Sequence, residues 1–304
     1  MSSAAVTPIE RPRVGVNPLP WYLTPHGFDP ANADLPEIFR QVRAAGFRAL
    51  HADPRPGVSA ADYLAMLTDA GLEPAPGYFQ ARFEDPDTAA EVTENARMVA
   101  AQHAELGLDR IFIAAQFGNP LRGPAPATGA GYDDATFDRV LVGLTSTARA
   151  MAAEGVIPCL HQHVGTLIET RAETERVLAA TDPSFLLLGP DTGHLAWAGV
   201  DPAAFIRQHA DRVGAVHLKD VHLQVAAEGR ERGASYFEIT GRHLWTEPGC
   251  GDVDLDGVLA ALGDFDGWLI AEVDIPDKES PQRSAEVSAA WIGAHTGHAE
   301  GSEP

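Results

Sequence analysis

The stretch Leu106-Gly107-Leu108-Asp109-Arg110-Ile111-Phe112-Ile113-Ala114-Ala115 carries the pattern that decides the fold. A glycine closes a helical segment, and a short apolar run suited to a strand follows at once. Glycine just past a helix end takes the left-handed conformation without a Cβ penalty, so the junction reads as a tight helix-to-strand loop. It recurs at Ala45-Gly46-Phe47, Ala70-Gly71-Leu72 and Glu154-Gly155-Val156. The segments before the first two have helical periodicity, with Leu35, Ile38, Phe39 and Val42 on one face and Tyr63, Leu64 and Leu67 on another.

Working outward, strands are expected at Val14 to Asn17, Arg48 to Ala52, Pro74 to Tyr78, Arg110 to Ala115, Ile157 to His161, Phe185 to Leu188, Ala215 to Leu218 and Trp268 to Ala271. Eight strands alternating with helices predict a closed parallel (β/α)8 TIM barrel spanning residues 13–297, with flexible tails at 1–12 and 298–304. An open doubly wound sheet competes, but the first strand is followed by Asn17-Pro18-Leu19-Pro20 and not by a glycine-rich turn opening a helix. Three irregular segments, Leu19 to Asp34, Phe117 to Asp133 and His222 to Asp252, follow strands and would form the walls of the catalytic face.

Composition narrows the function. At 304 residues and 45% hydrophobic, the chain suits one barrel. A formal charge of −21 and a pI near 4.8 repel phosphate backbones and anionic lipid, so neither nucleic acid nor a membrane is an expected partner. Two cysteines, Cys159 and Cys250, make no disulfide framework, which suits a cytoplasmic protein. Met1 to Arg13 lacks the apolar core of a signal peptide.

Polar chemistry collects at the ends of the later strands, where a barrel exposes inward side chains to a pocket. The fifth ends Leu160-His161-Gln162-His163, the sixth leads into Asp191-Thr192-Gly193-His194, the seventh carries His217-Leu218-Lys219-Asp220, and the eighth ends Glu272-Val273-Asp274. Adjacent strands lie about 5 Å apart, close enough for these groups to share one ion. Carboxylates mixed with imidazoles suit Mn²⁺, Mg²⁺, Co²⁺, Fe²⁺ or Zn²⁺, manganese being the first choice. Plainer readings compete: Asp191 as a helix N-cap, Glu272 paired with a rim lysine, Lys219 as a solvated charge, His163 and His194 as structural histidines, Trp197, Trp245 and Trp268 as packing. His51 and Gln116, at the ends of the second and fourth strands, and Trp245, in the seventh loop, are placed to contact substrate hydroxyls or line the pocket.

These motifs, with Val216-His217-Leu218-Lys219-Asp220-Val221, Pro248-Gly249-Cys250-Gly251-Asp252-Val253-Asp254 and Gly267-Trp268-Leu269-Ile270-Ala271-Glu272, resemble the xylose-isomerase-like barrel superfamily of sugar phosphate isomerase/epimerase type. Within it they are most similar to the inosose dehydratase group of myo-inositol catabolism. The resemblance implies a metal held from strands five to eight, commonly by Glu, Asp, His and Glu. Asp191, His217 and Glu272 match the last three, and His161 stands where the first glutamate would be. His51 likewise replaces a glutamate common on the second strand, and no acidic residue stands near Ala115-Gln116.

The implied chemistry is enolate formation on a keto-polyol or keto-sugar, with Lys219 stabilising the enolate and His163 or His194 moving protons. A dehydratase ranks first. An isomerase or epimerase follows, then a 3-keto-glycoside lyase, which would need a small β-rich partner subunit; an endonuclease is far behind, and a metal-free binding protein is the non-enzyme alternative. Such barrels often form homo-oligomers, but no interface signature stands out.

Overall fold

The structure, a computed structural model, describes residues 12–24, 27–131 and 133–297. Apart from Pro12, the two expected tails lie outside these residues. Eight parallel strands form the ring: β1 (Arg13–Val16), β2 (Ala49–His51), β3 in two segments (Glu73–Ala75 and Tyr78–Ala81), β4 (Arg110–Ala115), β5 (Ile157–Leu160), β6 (Leu187–Leu188), β7 (Ala215–Leu218) and β8 (Trp268–Ala271). β8 pairs with both β7 and β1, β1 with β2, and β2 with the first half of β3. The second half of β3 pairs with β4, β4 with β5, and β5 with β6. Between β6 and β7 the ring closes through single bridges, Leu188 to Val213 and Asp191 to His217.

Two strand expectations are corrected. The third strand breaks at Pro76-Gly77, because proline has no N–H for a ladder and Gly77 passes close to its neighbours. A Cβ on Gly77 would sit 2.3 Å from the Ala52 carbonyl oxygen and 2.5 Å from His103 Nε2. The sixth strand begins at Leu187, since the Phe185 and Leu186 amides are drawn back to the Asp182 carbonyl in a turn.

Each strand feeds a helix of the outer layer: α1 (Leu35–Ala44), α2 (Ala60–Asp69), α3 (Ala89–Glu105), α4 (Asp134–Ala153), α5 (Arg171–Ala180), α6 (Pro202–Gln208), α7 (Leu255–Leu262) and α8 (Pro281–Thr296). Their starts are chemically marked: Asp34, Ser59, Asp133, Thr170, Asp201, Asp254 and Ser280 each accept a backbone N–H of the first turn. The four glycine junctions all have positive φ, at Gly46, Gly71, Gly107 and Gly155.

Alternation along β4 sets the inner and outer layers. Ile111 and Ile113 pack outward with Val140 and Leu144 of α4, whereas Phe112 turns inward and stacks on the His217 ring at 3.7 Å between centroids. Phe112 therefore lies against the polar end of the barrel interior.

The segment after β7 departs from the expected irregular loop. It holds helices at Leu223–Arg232 and Tyr236–Thr240, and Trp245–Thr246 pairs antiparallel with Asp220–Val221. Ser235 and Glu238 form a capping box on the second helix, and Ala226 and Ile239 are buried. The segment after β1 contains a short helix (Leu19–Tyr22) and a hairpin of Leu23–Thr24 with Gly27–Phe28. No helix among the described residues is long and apolar enough to cross a membrane.

Candidate active site

The ends of β5 to β8 converge. One ligand atom from each of His161, Asp191, His217 and Glu272 lies within 4.8 Å of every other, and all four residues are buried. Asp191 is the helix N-cap that the plainer reading expects, and it also stands in the cluster. Its Oδ1 accepts the His194 amide at 2.9 Å as N-cap of the short helix Thr192–Trp197, while Oδ2 turns toward the cluster. Glu272 is fixed through both oxygens: Asn17 Nδ2 donates to Oε2 at 2.7 Å, and Lys219 Nζ lies 2.8 Å from Oε1.

The cluster fits a divalent ion. Asp191 Oδ2, His161 Nδ1 and both nitrogens of His217 are buried without a hydrogen-bond partner. His217 Nδ1 lies 3.2 Å from Glu272 Oε2 and 3.8 Å from Asp191 Oδ2, but not in hydrogen-bonding geometry. Buried polar atoms are normally satisfied, and a set of carboxylate oxygens and imidazole nitrogens suits a divalent ion. Formal charge agrees: Asp191, Glu272 and Asp274 surround a single buried ammonium, Lys219, leaving an excess of two negative charges.

Burial shapes the titration of these groups. It pushes Asp191 up to about 7, with Lys219 pulling down and Glu272 pushing further up. For Glu272 burial also pushes upward, but His217 and Lys219 reverse this and hold the carboxyl well below its usual range. Desolvation lowers His217 to about 3 and His51 to about 4, and holds His161 and His194 well below the ordinary imidazole value. Neutral imidazole is the form that binds metals.

Lys219 is no rim charge. It is fully buried, with Nζ 2.8 Å from Asp274 Oδ1 and 3.2 Å from Asp191 Oδ2, and it lies 4.7 Å from the centre of the Trp245 ring. Desolvation would strip its proton, but Asp191, Asp274 and Glu272 hold its pKa well above the usual lysine value. The Asp191-Thr192-Gly193-His194 segment wraps around it. Thr192 Oγ1 accepts the Lys219 amide at 2.9 Å and donates to its carbonyl at 2.7 Å. A Cβ on Gly193 would meet Lys219 Cγ at 2.7 Å, and His194 Nε2 stands 3.3 Å from Nζ.

Above the cluster opens a cavity of about 440 Å³. His51, His161, His163, Trp245 and Glu272 line it as the sequence suggests; Asp191, His194, His217 and Lys219 lie beneath. Gln116 does not line it. Its side chain turns to the Phe117 carbonyl, and Gln80, on the displaced second half of β3, takes a place in the wall. Asn17, Tyr78 and Asp274 also line the cavity and were missed. Strand-end position could have found Asn17, and the two-residue alternation from Glu272 could have found Asp274.

His163 Nδ1 donates to the Val164 carbonyl at 2.7 Å, which leaves Nε2 as the basic nitrogen. Burial and, behind it, Lys219 lower its pKa to about 3. Its ring lies 3.8 Å from that of His194, between centroids. His161, His163 and His194 also form a three-nitrogen group, but the Lys219 ammonium beside His194 makes it a poor cation cup. Gln162 faces away from the cavity and ties β5 to the sixth strand end, donating to the Asp191 carbonyl at 2.9 Å.

Two buried carboxylates hold the walls. Glu169 accepts the Ala127, Gly129 and Gly165 amides and pairs with Arg122, joining the fourth loop to the turn that carries His163. Asp220 accepts the Gly249, Gly251 and Val253 amides, which explains the glycines of the Pro248 to Asp254 motif. A Cβ on Gly251 would fall 2.3 Å from Asp220 Oδ1.

The family described as xylose isomerase-like TIM barrel matches residues 39–295, most of the chain. The chain belongs to that family. Among curated relatives of this xylose isomerase-like barrel, the inosose dehydratase of Geobacillus kaustophilus is 26% identical over 296 residues, covering 92% of this chain and 93% of the relative. The inosose dehydratase of Erwinia tasmaniensis is 30% identical over 284 residues, covering 88% and 94%. Among solved structures, a xylose isomerase-like TIM barrel protein from Mycobacterium smegmatis in complex with magnesium superposes with a TM-score of 0.69 at 17% identity, covering 96% of this chain and 98% of that one.

Proposed function

We propose that this protein is a divalent-metal-dependent carbon–oxygen lyase that dehydrates a keto-polyol, with 2-keto-myo-inositol as its substrate. The observation that carries the reading is the buried His161, Asp191, His217 and Glu272 cluster beneath a cavity that presents a free imidazole nitrogen on His163. The relatives named inosose dehydratase supply the substrate class. A divalent ion held by those four residues, manganese in the first instance, would supply Lewis-acid stabilisation to an enolate.

The chain's own groups do the rest. His163 Nε2 takes the proton from the carbon beside the carbonyl, breaking C–H. The resulting imidazolium returns the proton to the departing hydroxyl, so C–O breaks and water leaves with a new double bond in the ring. Lys219 is sealed beneath Trp245, and its ammonium acts on the enolate site only through Glu272 and Asp191. His194 supports the His163 ring from below. His51, with Nε2 unpartnered, and Gln80 are available to ring hydroxyls.

Incubation with 2-keto-myo-inositol and Mn²⁺ should produce the ultraviolet absorbance of a conjugated diketone, and Asp191→Ala should remove both that activity and metal binding. No bound ion in the purified protein, and no turnover on adding Mn²⁺, Mg²⁺, Co²⁺, Fe²⁺ or Zn²⁺, would sink the reading. An isomerised product would move it to the isomerase or epimerase class. One observation favours a second reading, elimination of an apolar group from a keto-glycoside: Phe237 and Phe28, 73% and 48% exposed, line the cavity mouth.

A further inference from the structure

Resting on the metal reading above, we propose that Lys219 is a tethered cation that competes with the divalent ion for Asp191 and Glu272, with Asp274 as the carboxylate that retains it.

The ammonium lies against the two carboxylates that an ion would need. Nζ is 3.2 Å from Asp191 Oδ2, the oxygen turned into the cluster, and 2.8 Å from Glu272 Oε1. Those two carboxylates belong to the four-residue cluster, whereas Asp274, 2.8 Å away on the third side, does not. Asp274 is thus a partner for the ammonium whose oxygens the ion does not require. One positive charge bridging two carboxylates at a few Å is held strongly even in an effective dielectric of about 20, and a second cation brought to the same carboxylates is repelled by it.

The placement is built and not incidental. Thr192 clasps the Lys219 backbone from both sides, and Gly193 leaves room for its methylenes. Trp245 covers it and His194 stands beside Nζ. The side chain has no exposure and does not line the cavity, so direct contact with substrate does not explain why a charge is kept here. A local cation that holds Asp191 and Glu272 together does explain it: without one, adjacent buried carboxylates repel each other and the cluster must distort.

The test is Mn²⁺ binding without substrate, followed by electron paramagnetic resonance of the free ion, on wild type, Lys219→Met, Asp274→Asn and the double variant, with circular dichroism to verify folding. Lys219→Met should bind Mn²⁺ about tenfold more tightly or better, a conservative reading of the charge repulsion removed. Its metal-free form should melt at a lower temperature than wild type, and Mn²⁺ should raise that temperature by more. Asp274→Asn should weaken binding severalfold in the wild-type background and have a smaller effect when Lys219 is already Met, because the two residues then act through one another.

Unchanged or weaker binding by folded Lys219→Met overturns the proposal while leaving the metal reading intact. An equal Asp274→Asn effect in both backgrounds overturns the retaining role. Binding by neither wild type nor Lys219→Met overturns both this proposal and the metal reading. If Lys219→Met does not fold, Lys219→Gln, neutral but still able to donate to the carboxylates, is read against the same expectations.

Discussion

His103 offers a pH-dependent stability that can be worked out from its contacts. It lies in α3, almost wholly buried, with Nδ1 2.9 Å from the Val99 carbonyl and Nε2 accepting the Gly77 amide at 3.2 Å. Both ring nitrogens are committed in the neutral tautomer, Nδ1 as donor and Nε2 as acceptor. Burial drops the pKa from an ordinary 6.5 to about 4, with the Val99 contact opposing. Between those values the unfolded chain binds a proton that the folded chain refuses, so stability falls as pH falls. The contribution is fully present above the unfolded pKa and is lost by the folded one. At about 1.4 kcal/mol per tenfold change in proton affinity, the drop from 6.5 to about 4 makes the loss roughly 3–4 kcal/mol.

The comparison is with His103→Gln, which keeps an acceptor and a donor but no titration. Urea unfolding of both proteins between about pH 7 and pH 5 should show wild type losing stability faster, approaching 1.4 kcal/mol per pH unit in excess near the low end. Subtracting the variant removes the common contribution of the other buried histidines. Parallel curves would refute the reasoning. They would mean that His103 protonates in the folded state without losing Gly77, and that the break in β3 does not depend on its neutrality.

His163→Gln should reduce kcat by about 10²–10⁴-fold while leaving Mn²⁺ affinity within a few-fold, measured by turnover and by metal titration; equal loss of both would make His163 a ligand and not the base. Asp220→Asn places an amide N–H₂ against backbone donors and should cost about 2–4 kcal/mol in unfolding free energy, with faster proteolysis at residues 248–253. A loop protected as in wild type would show that Trp291, against Gly249, holds it instead.

The sequence made the barrel legible because the glycine junctions and capping residues act locally. Gly46, Gly71, Gly107 and Gly155 take positive φ whatever surrounds them, and Asp34 or Ser59 caps the turn that it begins. The cluster was legible for a related reason: His161, Asp191, His217 and Glu272 stand at strand ends, where the fold itself brings them together. What escaped depended on side chains reaching across the molecule. The break in β3 is set by Ala52 and His103, residues 25 and 26 positions away, so nothing local marks Gln80 as a wall residue in the place expected of Gln116. The burial of Lys219 depends on Trp245 and Asp274, neither of which its own strand reveals. The helices after β7 were obscured by the turn-forming residues between them, Gly233-Ala234-Ser235.

The ring has two weak joints, the gap at Pro76-Gly77 and the single bridges between β6 and β7. They divide the barrel into a set of β7, β8, β1, β2 and the start of β3, and a set running from the end of β3 to β6. His217 and Glu272 come from the first set, His161 and Asp191 from the second. The Asp191 to His217 bridge is itself one of the few stitches across that joint. Whatever draws those four side chains together therefore also draws one half-barrel toward the other.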